Sequence, residues 1–229
     1  MRATVLGFHD IAPEVRHFVF EVPEIEQLQF KAGQFVSFKE TLNGKKITRP
    51  YSIASLPDRN RFELCLNLVH AGIFSPYLFA MKPGDSVEMS APLGFFTVRD
   101  PAKEALFIAT GTGIAPFRAM VPDYLAHPNA KQLTLLFGVR HENTIYYRDH
   151  FEALAGKHSS FRFWPTLSRA EASWTGHTGH VQSHLLEAIG DRRDLDVFIC
   201  GLKAMVDDVR AMLKGLGFDR KQIVFEKYD

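Results

Sequence analysis

The chain has 229 residues, with 27 Lys+Arg against 26 Asp+Glu and a formal net charge of +1. At 46% hydrophobic and 23% charged it is globular rather than disordered, and at about 150 residues per domain it fits one large or two small domains. The balanced charge advertises neither a nucleic acid nor a membrane as partner, and two cysteines, Cys65 and Cys200, make neither a disulfide framework nor a four-thiolate iron–sulfur site. No apolar run is long enough to span a bilayer, and MRATVLGFHDIAPE lacks a signal peptide's apolar segment. The expected compartment is therefore the cytoplasm, without membrane insertion.

In chain order, residues 1–100 read as short alternating strands. Phe18 and Phe20, then Phe35 and Phe38, then Phe62, Leu64, Leu66 and Leu68 recur at period two or within short apolar runs. Asn43-Gly44 signals a hairpin, and Lys82-Pro-Gly-Asp85 another turn. This spacing predicts an antiparallel β-barrel. The turn-like Arg99-Asp-Pro-Ala102 marks the expected boundary. Beyond it, apolar runs at 105–109, 133–137, 161–164 and 197–200 alternate with helical patterns at 117–126, 148–155, 181–189 and 204–213. That texture predicts an α/β domain with a parallel sheet over residues 101–229, and Pro122 is expected to kink or shorten its first helix.

Three local patterns point to anionic ligands. In Arg49-Pro50-Tyr51-Ser52, a guanidinium suited to phosphate and an aromatic ring two residues on project to one side of an extended segment; a surface arginine on an edge strand explains the pattern as well. In Gly72-Ile73-Phe74-Ser75-Pro76, Ser75 reads as a helix cap and Pro76 as the first helical residue. This is a second anion site or simply a well-capped helix. In Thr110-Gly111-Thr112-Gly113-Ile-Ala-Pro116, glycines between a strand and a helix allow close backbone approach to a phosphate at a helix start. The third glycine of the dinucleotide-binding fingerprint is absent, so a structural turn competes with a dinucleotide site.

Together with Cys200-Gly-Leu-Lys-Ala-Met-Val206, these motifs resemble, in order and over nearly the whole chain, the ferredoxin–NADP reductase family and its flavoprotein relatives. The resemblance implies an FAD-binding barrel over 1–100 followed by an NAD(P)-binding domain over 101–229. It implies Arg49 on the FAD pyrophosphate, Pro50 as a further cofactor-binding residue, Tyr51 against the isoalloxazine, Ser52 near its hydride-accepting nitrogen, and Gly72, Ile73, Phe74 and Ser75 holding FAD phosphates. It further implies Thr110, Gly111, Thr112 and Gly113 around the coenzyme pyrophosphate, and Cys200 and Gly201 beside the nicotinamide. Ser52, Cys200 and Glu226 are the expected catalytic residues. Tyr228 is the expected aromatic cover of the flavin, with Phe225 as the other candidate or a core residue.

Ser168 and Arg169, with Arg140 and also Arg148, imply a 2′-phosphate site and hence NADP(H). Glu142 and Glu171 leave NAD(H) open, and His180 stands where NADP-specific relatives carry arginine or tyrosine. His177, His180 and His184 suggest a metal, but no carboxylate completes an obvious shell and no metal is expected. Lys39, Lys45, Lys46 and Arg49 form either an ordinary solvated hairpin or a docking face for an acidic carrier such as ferredoxin or flavodoxin. The implied activity is hydride exchange between NADPH and FAD coupled to single-electron exchange with that carrier. The alternatives are a reductase component of a multicomponent oxygenase, a free flavin or quinone reductase, and a non-catalytic nucleotide-binding subunit.

Overall fold

The computed structural model describes residues 1–228. Its contacts divide the chain into two units, residues 1–97 with 115–120, and residues 98–114 with those from 121 onward. In the first unit, β1 (Arg2–Ala12), β2 (Val15–Glu21), β3 (Phe35–Leu42), β4 (Lys45–Ser52), β5 (Arg61–Asn67) and β6 (Ser86–Met89) pair antiparallel in the order β4-β3-β6-β1-β2-β5. The two ends of this sheet meet, because Ile53 bridges Leu64 and the Ala54 N–H donates to Glu63 O at 2.8 Å. The sheet therefore closes as the predicted barrel.

Asn43 (φ 52°) and Gly44 (φ 73°) both adopt left-handed backbone between β3 and β4, as the Asn-Gly pair demands of a two-residue hairpin. Gly84 (φ 95°) sits in the Lys82–Asp85 turn, closed by the Asp85 N–H on Lys82 O at 3.0 Å. Inside the barrel Phe18, Phe20, Phe38 and Phe62 are buried, with Phe20 stacked on Phe62 at 5.4 Å and edge-on to Phe38 at 5.2 Å. Truncating one such ring costs about 3–5 kcal/mol.

Helix α1 (Phe74–Ala80) buries Phe74 and Leu78 in this core. Its cap corrects the sequence expectation. Ile73 holds the N-cap position without a side-chain bond, so Ser75 and Pro76 are the second and third helical residues. Ser75 Oγ instead accepts the Val69 N–H at 2.9 Å. The Ser-Pro pair misleads because the hydroxyl is already engaged by the preceding turn.

In the second unit, β7 (Glu104–Thr110), β8 (Leu133–Val139), β9 (Phe161–Leu167), β10 (His177–Thr178), β11 (Leu195–Leu202) and β12 (Ile223–Tyr228) form a parallel sheet in the order β10-β9-β8-β7-β11-β12. The order reverses between β7 and β11, and in such sheets the crevice beyond the strand carboxyl ends at that point receives the ligand. Helix α2 (Ala115–Leu125) contributes residues 115–120 to the first unit. It runs through Pro122 to Leu125, so the expected shortening does not occur. Next come α3 (Arg148–Lys157), then a 3₁₀ turn at Val181–His184 leading into α4 (Leu185–Ile189), and α5 (Lys203–Gly215). Val206, Val209 and Leu213 of α5 pack against Val197 and Ile199 of β11 in one buried cluster. Among the described residues no helix is long and apolar enough to cross a membrane.

Candidate functional site

In the first unit, β4 carries the Arg-Pro-Tyr-Ser motif. Pro50 has no N–H for a ladder, which suits the end position of β4 in the strand order. Arg49 and Tyr51 alternate onto one face, opposite Phe38 and Val36 of β3. Arg49 is exposed, and its only bond among the described residues is to the Thr48 carbonyl at 2.8 Å. Tyr51 is half-buried between Phe38 (5.7 Å) and Phe74 (6.3 Å), and burial pushes its hydroxyl pKa well up. Ser52 ends the strand and is buried. An exposed guanidinium beside a half-buried aromatic ring is the donor set that a pyrophosphate joined to a flat ring system requires. Gly72 closes a turn onto Val69 O at 2.8 Å, directly before exposed Ile73 and buried Phe74.

A network the motifs did not predict supports the segment after Ser52. Arg118 donates to Ala54 O and pairs with Glu63, whose carboxylate also lies 3.4 Å from buried His17 Nε2. The Glu63 N–H donates to Ser55 Oγ at 3.1 Å. Burial pushes the Glu63 carboxyl up, but the His17 hydrogen bond and the Arg118 charge outweigh it and hold the group below the usual range. The sequence signal was a lone arginine within an apolar helix start, Ala-Pro-Phe-Arg-Ala-Met.

In the second unit, Thr110 ends β7, and Gly111–Ile114 form a 3₁₀ turn that runs directly into α2. Gly111 (φ 55°) makes the turn. Gly113 is required by space: an added Cβ would lie 2.3 Å from Cys200 O and 2.8 Å from Gly201 Cα. Gly201 (φ 148°) likewise leaves room for Thr110, whose Oγ1 would be 2.3 Å from its Cβ. That Thr110 hydroxyl is buried and has no hydrogen-bond partner among the described residues. An orphaned polar atom where the strand order reverses fits a polar ligand of the loop.

Cys200, at the end of β11, is fully buried, which pushes its thiol pKa up, so the sulfur stays protonated. Tyr228 hydrogen-bonds it, and Glu226 lies opposite it in the β11–β12 register. Alternation puts Glu226 and Tyr228 on one face and Phe225 and Lys227 on the other. Phe225 is 37% exposed, under the Arg210 guanidinium at 3.7 Å, so it is not the core residue considered above. Lys227 pairs with Asp207 of α5 on the same side.

The ends of β8 and β9 meet beside this loop. The Arg169 N–H donates to Arg140 O at 2.9 Å and the Ser168 N–H to Val139 O at 3.0 Å. Both arginines are exposed, and neither guanidinium pairs with a carboxylate of the described residues. Arg148, by contrast, is committed to Glu142 and Glu152, each at 2.7 Å. These pairs raise its own pKa and occupy the Glu142 carboxylate. Glu171 is exposed.

The histidines also differ from expectation. His177 and His184 converge with Glu187, whereas His180 is exposed at the start of the 3₁₀ turn. A carboxylate does complete the group, three residues beyond His184. Trp164 packs on His177 at 5.0 Å, and Trp174 Nε1–H donates to His177 O at 2.9 Å. Lys39, Lys45 and Lys46 of the first unit's hairpin are all exposed. Cys65 is buried.

Residues 2–98 match the family model of the oxidoreductase FAD-binding domain, and residues 107–211 that of the oxidoreductase NAD-binding domain. A ferredoxin–NADP reductase B of Sorangium cellulosum is 42% identical, over 99% of this chain and 97% of its own. The reductase component DmpP of phenol 2-monooxygenase from Pseudomonas sp. is 31% identical, over 99% of this chain and 65% of its own. Among solved structures, the Amycolatopsis cytochrome P450 reductase GcoB superposes with a TM-score of 0.89 at 30% identity, over 99% of this chain and 69% of that one. A Neisseria gonorrhoeae ferredoxin NADP+ reductase shares the fold, with a TM-score of 0.84 at 24% identity, over 99% and 98% of the two chains.

Proposed function

Because the chain belongs to the ferredoxin–NADP reductase family and is an FAD-dependent NAD(P)H oxidoreductase, we propose that it prefers NADPH and exchanges single electrons with a ferredoxin- or flavodoxin-like carrier in the cytoplasm. Bound FAD supplies the conversion between two-electron and one-electron transfer. The chain's residues supply position and electrostatics. Its domains divide near residue 100. Arg49 grips the FAD pyrophosphate, Tyr51 lies against the ring system with Pro50 also on the cofactor, and the turn at Gly72–Ser75 holds phosphate. Thr110–Gly113 receive the coenzyme pyrophosphate, with the orphaned Thr110 hydroxyl as a donor. Ser52 in the first unit, and the neutral thiol of Cys200 and the carboxylate of Glu226 in the second, are the residues assigned to the hydride-transfer step; Gly201 leaves room for Thr110 and Tyr228 holds the Cys200 sulfur.

The coenzyme preference rests on one observation. Arg140 and Arg169 are joined through their backbones, and neither exposed side chain pairs with a carboxylate of the described residues, while the nearby acid Glu142 is occupied by Arg148. Free cations with a Ser168 hydroxyl suit a 2′-phosphate; a free acid would suit a ribose hydroxyl pair. Anaerobic mixing of the FAD-loaded protein with each coenzyme, followed by flavin bleaching, tests it. NADPH is expected to bleach faster at low concentration. Arg140→Ala and Arg169→Ala should each raise KM for NADPH about tenfold, a loss of about 1.4 kcal/mol, with KM for NADH unchanged. Equal or better efficiency with NADH in the unaltered protein would overturn the preference.

A carrier of acidic surface is supported by exposed Lys39, Lys45 and Lys46 beside the flavin motif. Reversal of Lys45 and Lys46 to Glu should weaken carrier turnover and its salt dependence while leaving flavin bleaching intact. The oxygenase-component reading is favoured by the DmpP relative, of which this chain spans 65%, and by the cytochrome P450 reductase GcoB, of which it spans 69%. The Sorangium reductase matches over nearly the full length of both chains.

A further inference from the structure

The three converging side chains of the second unit have no part in the reaction above. The donor atoms of His177, His184 and Glu187 all lie within 4.8 Å of one another. The two imidazole rings meet edge to face at 4.8 Å, and His184 Nδ1 is 3.9 Å from Glu187 Oε2.

His184 Nε2 lies 2.9 Å from the Thr178 carbonyl, which has only lone pairs, so this nitrogen carries the hydrogen and donates. In the neutral ring Nδ1 then presents its lone pair toward the Glu187 carboxylate. A lone pair and an anion facing each other call for a cation between them, either a proton or a metal ion. A ring oriented by a backbone carbonyl on its far nitrogen is the usual outer support of a metal-ligating histidine. His177 is similarly fixed, between the Trp164 ring and the Trp174 indole bond to its own carbonyl.

We propose that His177, His184 and Glu187 form a site for a zinc-class divalent ion, with a fourth position open to water. Two imidazoles and one carboxylate are a zinc donor set. Ligand atoms around a tetrahedral zinc stand about 3.4 Å apart, given bonds of about 2.1 Å. The group therefore closes by roughly an ångström on binding. Glu187, 61% exposed, swings in, while His184, 15% exposed, stays fixed. The site joins β10 to the start of α4, on the strand that pairs with Thr166 and Leu167 of β9.

The test is calorimetric titration of the chelator-treated, FAD-loaded full chain with zinc chloride, followed by metal analysis after gel filtration. One zinc per chain is expected, with affinity at least tenfold weaker in His177→Ala, His184→Ala and Glu187→Gln. His180→Ala should bind as the unaltered protein does, because His180 lies outside the group. Should either histidine variant fail to retain FAD and native circular dichroism, Glu187→Gln, at an exposed position, decides alone. Absence of saturable uptake, an unchanged affinity in Glu187→Gln, or an equal loss in His180→Ala would overturn the site and leave a protonated His184 paired with Glu187 as the account.

Discussion

Two glycine-bearing turns each lead into a helix, and they are built by opposite means. At Gly72 the backbone keeps an ordinary φ, and an added Cβ would stand 3.0 Å from Val69 O and 3.4 Å from Val69 Cβ. The turn is secured by a side chain, Ser75 Oγ on the Val69 N–H, just as the segment after Ser52 in the same unit is secured by the Arg118–Glu63–His17 network at Ala54. At Gly113 the constraint is spatial instead. The loop lies so close to the backbone of Cys200 and Gly201 that only hydrogen fits. Glycine is a convenience in the first turn and a spatial requirement in the second. The antiparallel unit holds its motif by polar side chains, and the parallel unit by backbone contact at strand ends.

Substitutions that exchange these means test the contrast most severely. Gly113→Ala forces backbone apart from backbone and should cost about 3 kcal/mol or more, read as a lowered urea midpoint of the second unit. A midpoint within experimental error of the unaltered protein would break the comparison. Glu63→Ala leaves Arg118 and His17 without their shared anion and should cost about 2–4 kcal/mol.

The pH dependence of that network has a definite sign. The Glu63 carboxyl is held below its ordinary value of 4.5, so its contribution is complete above that pH and is lost as pH falls through the lower folded value. Acid unfolding of Glu63→Gln should lack this component, measured as a flatter stability curve below about pH 4.5. Ser75→Ala removes one acceptor and should cost about 1 kcal/mol. The smallest effect belongs to Gly72→Ala, under about 1 kcal/mol, since Val69 has only to shift slightly. A Gly72→Ala loss larger than that of Ser75→Ala would reverse the ranking and the argument with it.

Much of the architecture was legible because it is local. Alternation at Phe62, Leu64 and Leu66, the Asn43-Gly44 turn, and the change of period after residue 100 each follow from neighbouring residues. What escaped was set by partners far away in the chain. Ser75 looked like a cap until Val69 claimed its hydroxyl. Arg118 on α2 and Glu63 on β5 are 55 residues apart in the chain. Glu187 stands one helical turn beyond His184, a spacing that becomes a cluster only once the helix of residues 185–189 is in place. Only the two-residue pairing of β10 with β9 brings His177 to the group. The adjacency of Arg140 and Arg169 depends on β8 lying next to β9, which periodicity alone does not state.

The two tryptophans, Trp164 and Trp174, both lie in the second unit, and the first unit has none. Indole emission is therefore a built-in label for one half of the chain, while far-ultraviolet dichroism sees both. A urea titration followed by the two signals separates the halves without any added dye. Coincident curves mean that the chain melts as one cooperative whole, and an early dichroism loss means that the barrel goes first.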